Sequence, residues 1–193
     1  VSGPKTFPFN KSKSNNEGRA TISIDNKHLY FTVNNKGNFD IFTSDFSTKG
    51  WSEPHSMCNG VNDPKQWDSQ PCISPNGKTL YFASYRDSVA QTSDLYKTTK
   101  NTDGTWSKPV RLPDNINTRG NEKSPFMHPD GRTFYFSSDS LPGMGGYDIF
   151  MCKIDSNGIW GKPVNIGYPI NTENDEVGFF VSTDGKTGQF ASN

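Results

Sequence analysis

The sequence predicts an all-β fold, a β-propeller of four-stranded antiparallel blades, and three recurring landmarks predict it. A Tyr-Phe run appears at Leu29-Tyr30-Phe31, Leu80-Tyr81-Phe82 and Phe134-Tyr135-Phe136, with tyrosines 51 and 54 residues apart and a degraded fourth copy at Gly188-Gln189-Phe190. Asp40-Ile41-Phe42, Asp94-Leu95-Tyr96 and Asp148-Ile149-Phe150 recur at 54 and 54, and Trp51, Trp106 and Trp160 at 55 and 54. A period of about 54 residues holding four strand-sized segments points to stacked blades. A β-sandwich, the competing architecture, has no reason to repeat Trp, Asp and Gly at a constant interval.

Within each unit the first strand ends at a tight turn, marked by Asn76-Gly77, Asp130-Gly131 and Asp184-Gly185. The second strand carries the Tyr-Phe run and the third begins at the recurring Asp. The fourth is expected at the Trp, after a second turn at Asp103-Gly104 or Asn157-Gly158. Such pairs supply the positive φ angles that short hairpins demand. The Tyr-Phe strand is apolar on both faces, which requires a neighbouring sheet on each side. Val1-Ser2-Gly3-Pro4 aligns with Trp106-Ser107-Lys108-Pro109, so residues 1–15 are expected to form the last strand of a preceding blade. Blades are then expected at 16–66, 67–120 and 121–174, with a partial blade at 175–193. That layout reads as a piece of a larger propeller in preference to a four-bladed ring with an incomplete last blade, because open strand edges are a liability. Two copies depart from the pattern: Asp25-Asn26-Lys27 lacks the turn glycine, and Gly188-Gln189 interrupts the fourth Tyr-Phe run.

Composition narrows the function. In 193 residues, 20 Lys and Arg balance 20 Asp and Glu, and a chain without basic excess is a poor nucleic-acid or polybasic membrane binder. Aromatics at 13% mark a folded chain despite only 31% hydrophobic residues. No apolar run is long enough for a transmembrane segment. The chain starts at Val1 with no leader pattern, so any targeting signal is expected to be removed or upstream. Cys72 aligns with Phe126 and Phe180 and is expected to face the core. A Cys58 to Cys72 bridge is the alternative, worth about 3 kcal/mol on the chain-entropy estimate.

Four acids recur at one aligned position: Glu17, Asp68, Glu122 and Glu176. They read either as an axial carboxylate ring able to hold a cation, calcium being the metal considered, or as structural acceptors at strand entrances. Asp40, Asp94 and Asp148 each open a strand and read as structural anchors, as do the repeated tryptophans. Recognition, if borne by single residues, is expected on variable loops and at unrepeated side chains: Arg86, His128, His55 and Trp67. Gly143-Met144-Gly145-Gly146 lacks the spacing of a dinucleotide loop, the histidines and cysteines lack zinc spacing, and 171–178 does not match a calcium loop. No catalytic residue and no resident cofactor are expected. A glycan-binding or glycan-cleaving propeller is the alternative, although Ser182-Thr183-Asp184-Gly185-Lys186-Thr187 is one residue short of a sialidase Asp box.

The run from Trp106 to Phe150 combines Trp-x-x-Pro, Ile-Asn-Thr, Glu-x-x-Pro, Pro-Asp-Gly-x-x-x-Tyr-Phe-Ser-Ser and Gly-Gly-Tyr-Asp-Ile-Phe. It resembles TolB-like, WD-like propeller repeats. The segment Asn165 to Phe180 resembles, more narrowly, the propeller of OmpA-family lipoproteins of Bacteroidota. That resemblance implies a non-enzymatic platform, periplasmic and outer-membrane associated, whose partners are protein subunits of an envelope complex such as the type IX secretion and gliding machinery. Peptidoglycan would be met only through a separate OmpA-like domain, so no peptidoglycan-binding residue is carried over to this chain.

Overall fold

The computed structural model describes residues 17–35, 37–57, 60–87 and 91–193, and within them every regular element is a β-strand. The first sheet contains β1 (Glu17–Ile22), β2 (His28–Asn35), β3 (Asn38–Ser47), β4 (Gly50–Trp51) and β5 (His55–Ser56), with β4 and β5 both pairing to β3. The second runs β6 (Asp68–Ile73), β7 (Thr79–Ser84), β8 (Asp94–Thr99), β9 (Val110–Arg111). The third runs β10 (Glu122–Met127), β11 (Thr133–Ser138), β12 (Asp148–Lys153), β13 (Val164–Asn165). The fourth holds β14 (Glu176–Val181) and β15 (Gly188–Ser192), the latter exposed along its whole length. Every pairing is antiparallel. The first strands lie side by side in the order β1, β6, β10, β14, and β6, β10 and β14 each pack on the second and third strands of the sheet before them. This is the predicted all-β propeller, with the first strands lining the axis.

The two-faced Tyr-Phe strand follows from the stacking. Tyr30, Ile41, Met57 and Val61 of the first blade share a core with Ile73, Leu80, Phe82 and Tyr96 of the second. Tyr81 on the opposite face of β7 joins Leu95, Leu112 and Ile116 in a core with Phe134, Phe136 and Phe150 of the third. Alternate residues of one strand thus serve two interfaces. Two of the three repeated tryptophans reach back across a seam, the Trp106 ring meeting Tyr30 edge-on at 6.0 Å and Trp160 meeting Tyr81 at 6.1 Å, whereas Trp51 packs on Phe46 of its own blade. Burying each such aromatic contributes about 1.5–3 kcal/mol.

The fourth strand falls elsewhere than expected. Trp106 and Trp160 make only single bridges, to Lys100 and Ile154, and ladder pairing resumes at Val110 and Val164. The intervening Pro109 and Pro163 have no N–H to give a ladder, which displaces the strand past the tryptophan. In the first blade pairing occurs on both sides of Pro54. The missing turn glycine of that blade is also explained. Asn26 sits at φ +57°, beside +67° for Gly77, +68° for Gly131 and +71° for Gly185, and Asn is a side chain that tolerates this region.

A buried asparagine fastens the chain leaving each blade. Asn62, Asn117 and Asn171 accept from the backbone N–H of Ile41, Leu95 and Ile149 at 2.9, 2.7 and 2.9 Å. Their amide groups donate back to the same residues' carbonyls at 2.9, 2.9 and 2.8 Å. The side chain thereby imitates a paired strand. Asn117→Ala removes the side-chain partner of the Leu112 carbonyl and of the Leu95 N–H and leaves the Leu95 carbonyl only its bond from Leu112 N–H, and a loss of about 2 kcal/mol is expected in urea denaturation. A change below about 0.5 kcal/mol would mean that the fastening is redundant.

Candidate functional site

Each first strand opens on the recurring acid, and two residues later it leaves its ladder in a bulge. Arg19, Gln70, Ser124 and Gly178 occupy that bulge at φ +38°, +58°, +55° and +72°, and the register to the second strand slips there in all four blades. Bulges of this kind bend a strand and re-aim its side chains.

The acids themselves are spoken for. Glu122 is fully buried and accepts from Thr118 N–H at 2.9 Å, the Thr118 hydroxyl at 2.7 Å and the Ser138 hydroxyl at 2.8 Å. Glu176 repeats the arrangement with Thr172 and Ser192. Asp68 accepts from Asp63 N–H at 2.6 Å and pairs with Arg86 at 2.6 Å. Burial raises the Glu122 and Asp68 carboxyls above their usual range, against the hydrogen bonds and, for Asp68, the guanidinium charge. All three therefore bind donors of their own chain at strand entrances. Glu17 pairs with Val33 at the start of β1, and its side chain lies outside the described ones. Among the described residues, no three His, Cys, Asp or Glu side chains gather into a metal-binding group.

Asp94 and Asp148 open β8 and β12 as expected, whereas Asp40 is the third residue of β3, which starts at Asn38 because the tighter hairpin after β2 carries the pairing further. The three aspartates have different partners. Asp94 takes a two-pronged pair from Arg111, at 2.7 and 3.1 Å. Asp40 accepts from Asn35 and Asn38, and Asp148 from the N–H groups of Met144 and Gly145. The Gly-rich loop is thus wrapped on a carboxylate, and a Cβ at Gly145 would stand 2.4 Å from the Asn174 carbonyl of the next blade.

The unrepeated residues separate into inward and outward groups. Arg86 is turned inward, where it holds Asp68, the Val61 carbonyl at 2.7 Å and Ser84 at 2.9 Å, and stacks over Phe82 and Tyr96. His128 occupies the first-turn position that Ser74 and Ser182 hold in neighbouring blades. It accepts from Asp130 N–H and faces the Ser182 carbonyl at 3.3 Å. Trp67 sits between Phe39 and Tyr85, at 6.4 and 5.2 Å. His55 is exposed on β5 and shares an outer groove with Tyr30, Trp106 and the hydrogen-bonded pair of His28 and Asp45. Cys72 is a free buried thiol whose sulfur accepts from Met127 N–H at 3.2 Å; Cys58 lies outside the described residues.

What the structure brings together lies on the axis. Where the first strands end, Ile22, Ile24, Pro75, Phe126, Pro129 and Phe180 ring an apolar depression of about 170 Å³. Ile24 is 74% exposed there, and Ile22 and Phe180 about half so. Ile24, Pro75 and Pro129 are the same aligned position in three successive blades. Toward the strand entrances, the bulge residues Arg19, Gln70 and Ser124 line a second basin, in which Lys123 and Asp175 add charged side chains to the apolar surface of Val177 and Ala191.

No family model and no curated protein matches the chain. Solved structures do. The putative TolB of Agrobacterium tumefaciens is similar at 21% identity and a TM-score of 0.63, covering 91% of this chain and 53% of that one. TolB of Acinetobacter baumannii is similar at 18% and 0.61, covering 91% and 37%. The periplasmic gluconolactonase of Pseudomonas aeruginosa is similar at 12% and 0.54, covering 90% and 49%. The fold is therefore that of a TolB-like β-propeller. The chain spans about a third to a half of the length of these structures. Among its described residues no helix is long and apolar enough to cross a membrane.

Proposed function

We propose that this chain is a non-catalytic docking module that holds a protein partner against the apolar end of the propeller axis. The observation that carries it is the ring of Ile22, Ile24, Pro75, Pro129 and Phe180. Large apolar side chains gathered in the open at one concave site are what a contact surface offers. The non-catalytic part is supported by the way Asp68, Glu122 and Glu176 are consumed by donors from the segment that leaves the preceding blade and from their own blade, which leaves them no free oxygen chemistry.

The setting we propose is the periplasm, at the outer membrane, in a longer lipoprotein whose separate OmpA-like domain meets peptidoglycan while the propeller meets a type IX secretion or gliding complex. The resemblance of the Asn165 to Phe180 segment supports this setting, as does the TolB-like fold. The test is retention of proteins from a detergent-solubilised envelope fraction by the immobilised chain. Ile24→Asp puts a charge on the ring at a side chain that is already 74% exposed, and at least a tenfold drop in specific retention is expected. Equal retention by both forms would remove the apolar ring from the proposal.

A further inference from the structure

The strand-entrance end of the axis holds a different chemistry. A basin of about 370 Å³ is lined there by Arg19, Gln70, Lys123, Ser124, Tyr147 and Asp175, together with the end of β15. We propose that it is a binding site for a small oxyanion, a carboxylate or phosphate group gripped by the Arg19 guanidinium with Gln70, Lys123 and Ser124 as further donors.

Four observations point there. First, the Arg19 guanidinium has no carboxylate partner among the described residues, and burial lowers its pKa, the mark of a cation that has lost water without gaining a counter-charge. Second, Ser124, one of the residues that line the basin, is 4% exposed and its buried hydroxyl has no hydrogen-bond partner. Buried hydroxyls without partners are uncommon and call for an occupant. Third, Gln70 spends its carbonyl oxygen on Ser124 N–H at 2.7 Å, which leaves its amide hydrogens to give, and the Lys123 ammonium stands 4.5 Å over the Tyr147 ring. Among the described side chains the lining has one carboxylate, Asp175, which already accepts from Tyr147 N–H at 2.8 Å. Among the described residues the basin therefore offers several donors and carries two cations against one engaged acid.

Fourth, the repeats supply an internal control. The bulge position of the other blades carries Gln, Ser and Gly, so the fold does not ask for an arginine there, least of all at φ +38°, where a side chain is under strain. The guanidinium lies on the bare backbone of Gly178; a Cβ at that glycine would come within 2.7 Å of Nη1. A long cation from β1 and a missing side chain on β14 fit each other and hold the charged head beside the basin.

The site is independent of the apolar end, and the experiment keeps the two apart. Calorimetric titrations of the whole chain with inorganic phosphate and with succinate, at fixed ionic strength, should show saturable one-site binding of at least one probe. Binding of phosphate alone would assign a phosphate-bearing ligand, and binding of succinate alone a carboxylate. Ile24→Asp should bind as the parent does. Arg19→Met is expected to weaken binding at least tenfold and Ser124→Ala severalfold. If Arg19→Met does not fold, Arg19→Lys keeps the charge, loses the planar fork and should still weaken binding severalfold. No saturable binding of either probe, or affinities untouched by the Arg19 and Ser124 substitutions, would overturn the proposal.

Discussion

Replacing Arg86 with methionine is expected to destabilise the protein by about 3–5 kcal/mol, because it strands the buried Asp68 carboxylate. Asp68 is wholly buried and the Arg86 side chain 16% exposed, with 2.6 Å between Nη2 and Oδ1. The same guanidinium satisfies the Val61 carbonyl and lies 5.1 and 4.9 Å from the Phe82 and Tyr96 ring centres. One side chain therefore ties the first strand of the second blade to the segment leaving the first. The double variant Arg86→Met with Asp68→Asn removes the uncompensated charge and should recover part of the loss.

The pH dependence has a definite sign. Burial already raises the Asp68 carboxyl in the native state, against the pull of Arg86, and without the guanidinium it must rise further. A carboxyl whose folded pKa lies above its unfolded value binds more protons in the native state. Its contribution is then greatest below the unfolded value, near 3.9, and is lost as pH rises through the folded value. The stability gap between parent and Arg86→Met, measured by urea denaturation, should accordingly be widest at neutral pH and narrow as pH falls toward about 4. A gap that is constant with pH would mean that lost packing, not the stranded charge, causes the effect.

Phe134→Ala should cost about as much, 3–5 kcal/mol, for a different reason. Phe134 is fully buried at the seam between the second and third blades, with its ring 5.1 Å from Tyr81, 6.1 Å from Phe136 and 5.0 Å from Trp160. Its removal opens a cavity that neither rigid sheet can close. Phe134→Leu, which keeps most of the volume, should cost less than half as much. Equal losses for the two substitutions would contradict a cavity origin and point to the aromatic contacts.

Much of this seam could be read in advance, because Tyr81, Phe134 and Trp160 belong to landmarks spaced near 54 residues. The fourth strand could not be placed as readily. Trp106 is the visible landmark, but Pro109, which cannot donate to a ladder, decides where pairing resumes. Asn62, Asn117 and Asn171 recur as plainly as the acids, yet their two-way bonds to the third strand are long-range and have no local signature. Glu122 and Glu176 were visible as recurring acids; the identity of their donors, Thr118 with Ser138 and Thr172 with Ser192, depends on how the sheet folds back. Arg86 stood out because it departs from the repeat, but departure does not reveal direction, and its target was inside. The axial bulge was hidden altogether. Arg19, Gln70, Ser124 and Gly178 share a backbone conformation and no side-chain chemistry, so only the folded chain shows that they face one another.

The claim that the apolar end of the axis is a docking surface is tested most directly by site-specific photo-crosslinking in native envelopes. A photoreactive residue at position 24, on the ring, is compared with one at exposed position 108, out beyond the tryptophan of the second blade. Crosslinks to a defined protein from position 24 and not from position 108 are the predicted result. The same products from both positions, or none from position 24, would contradict it.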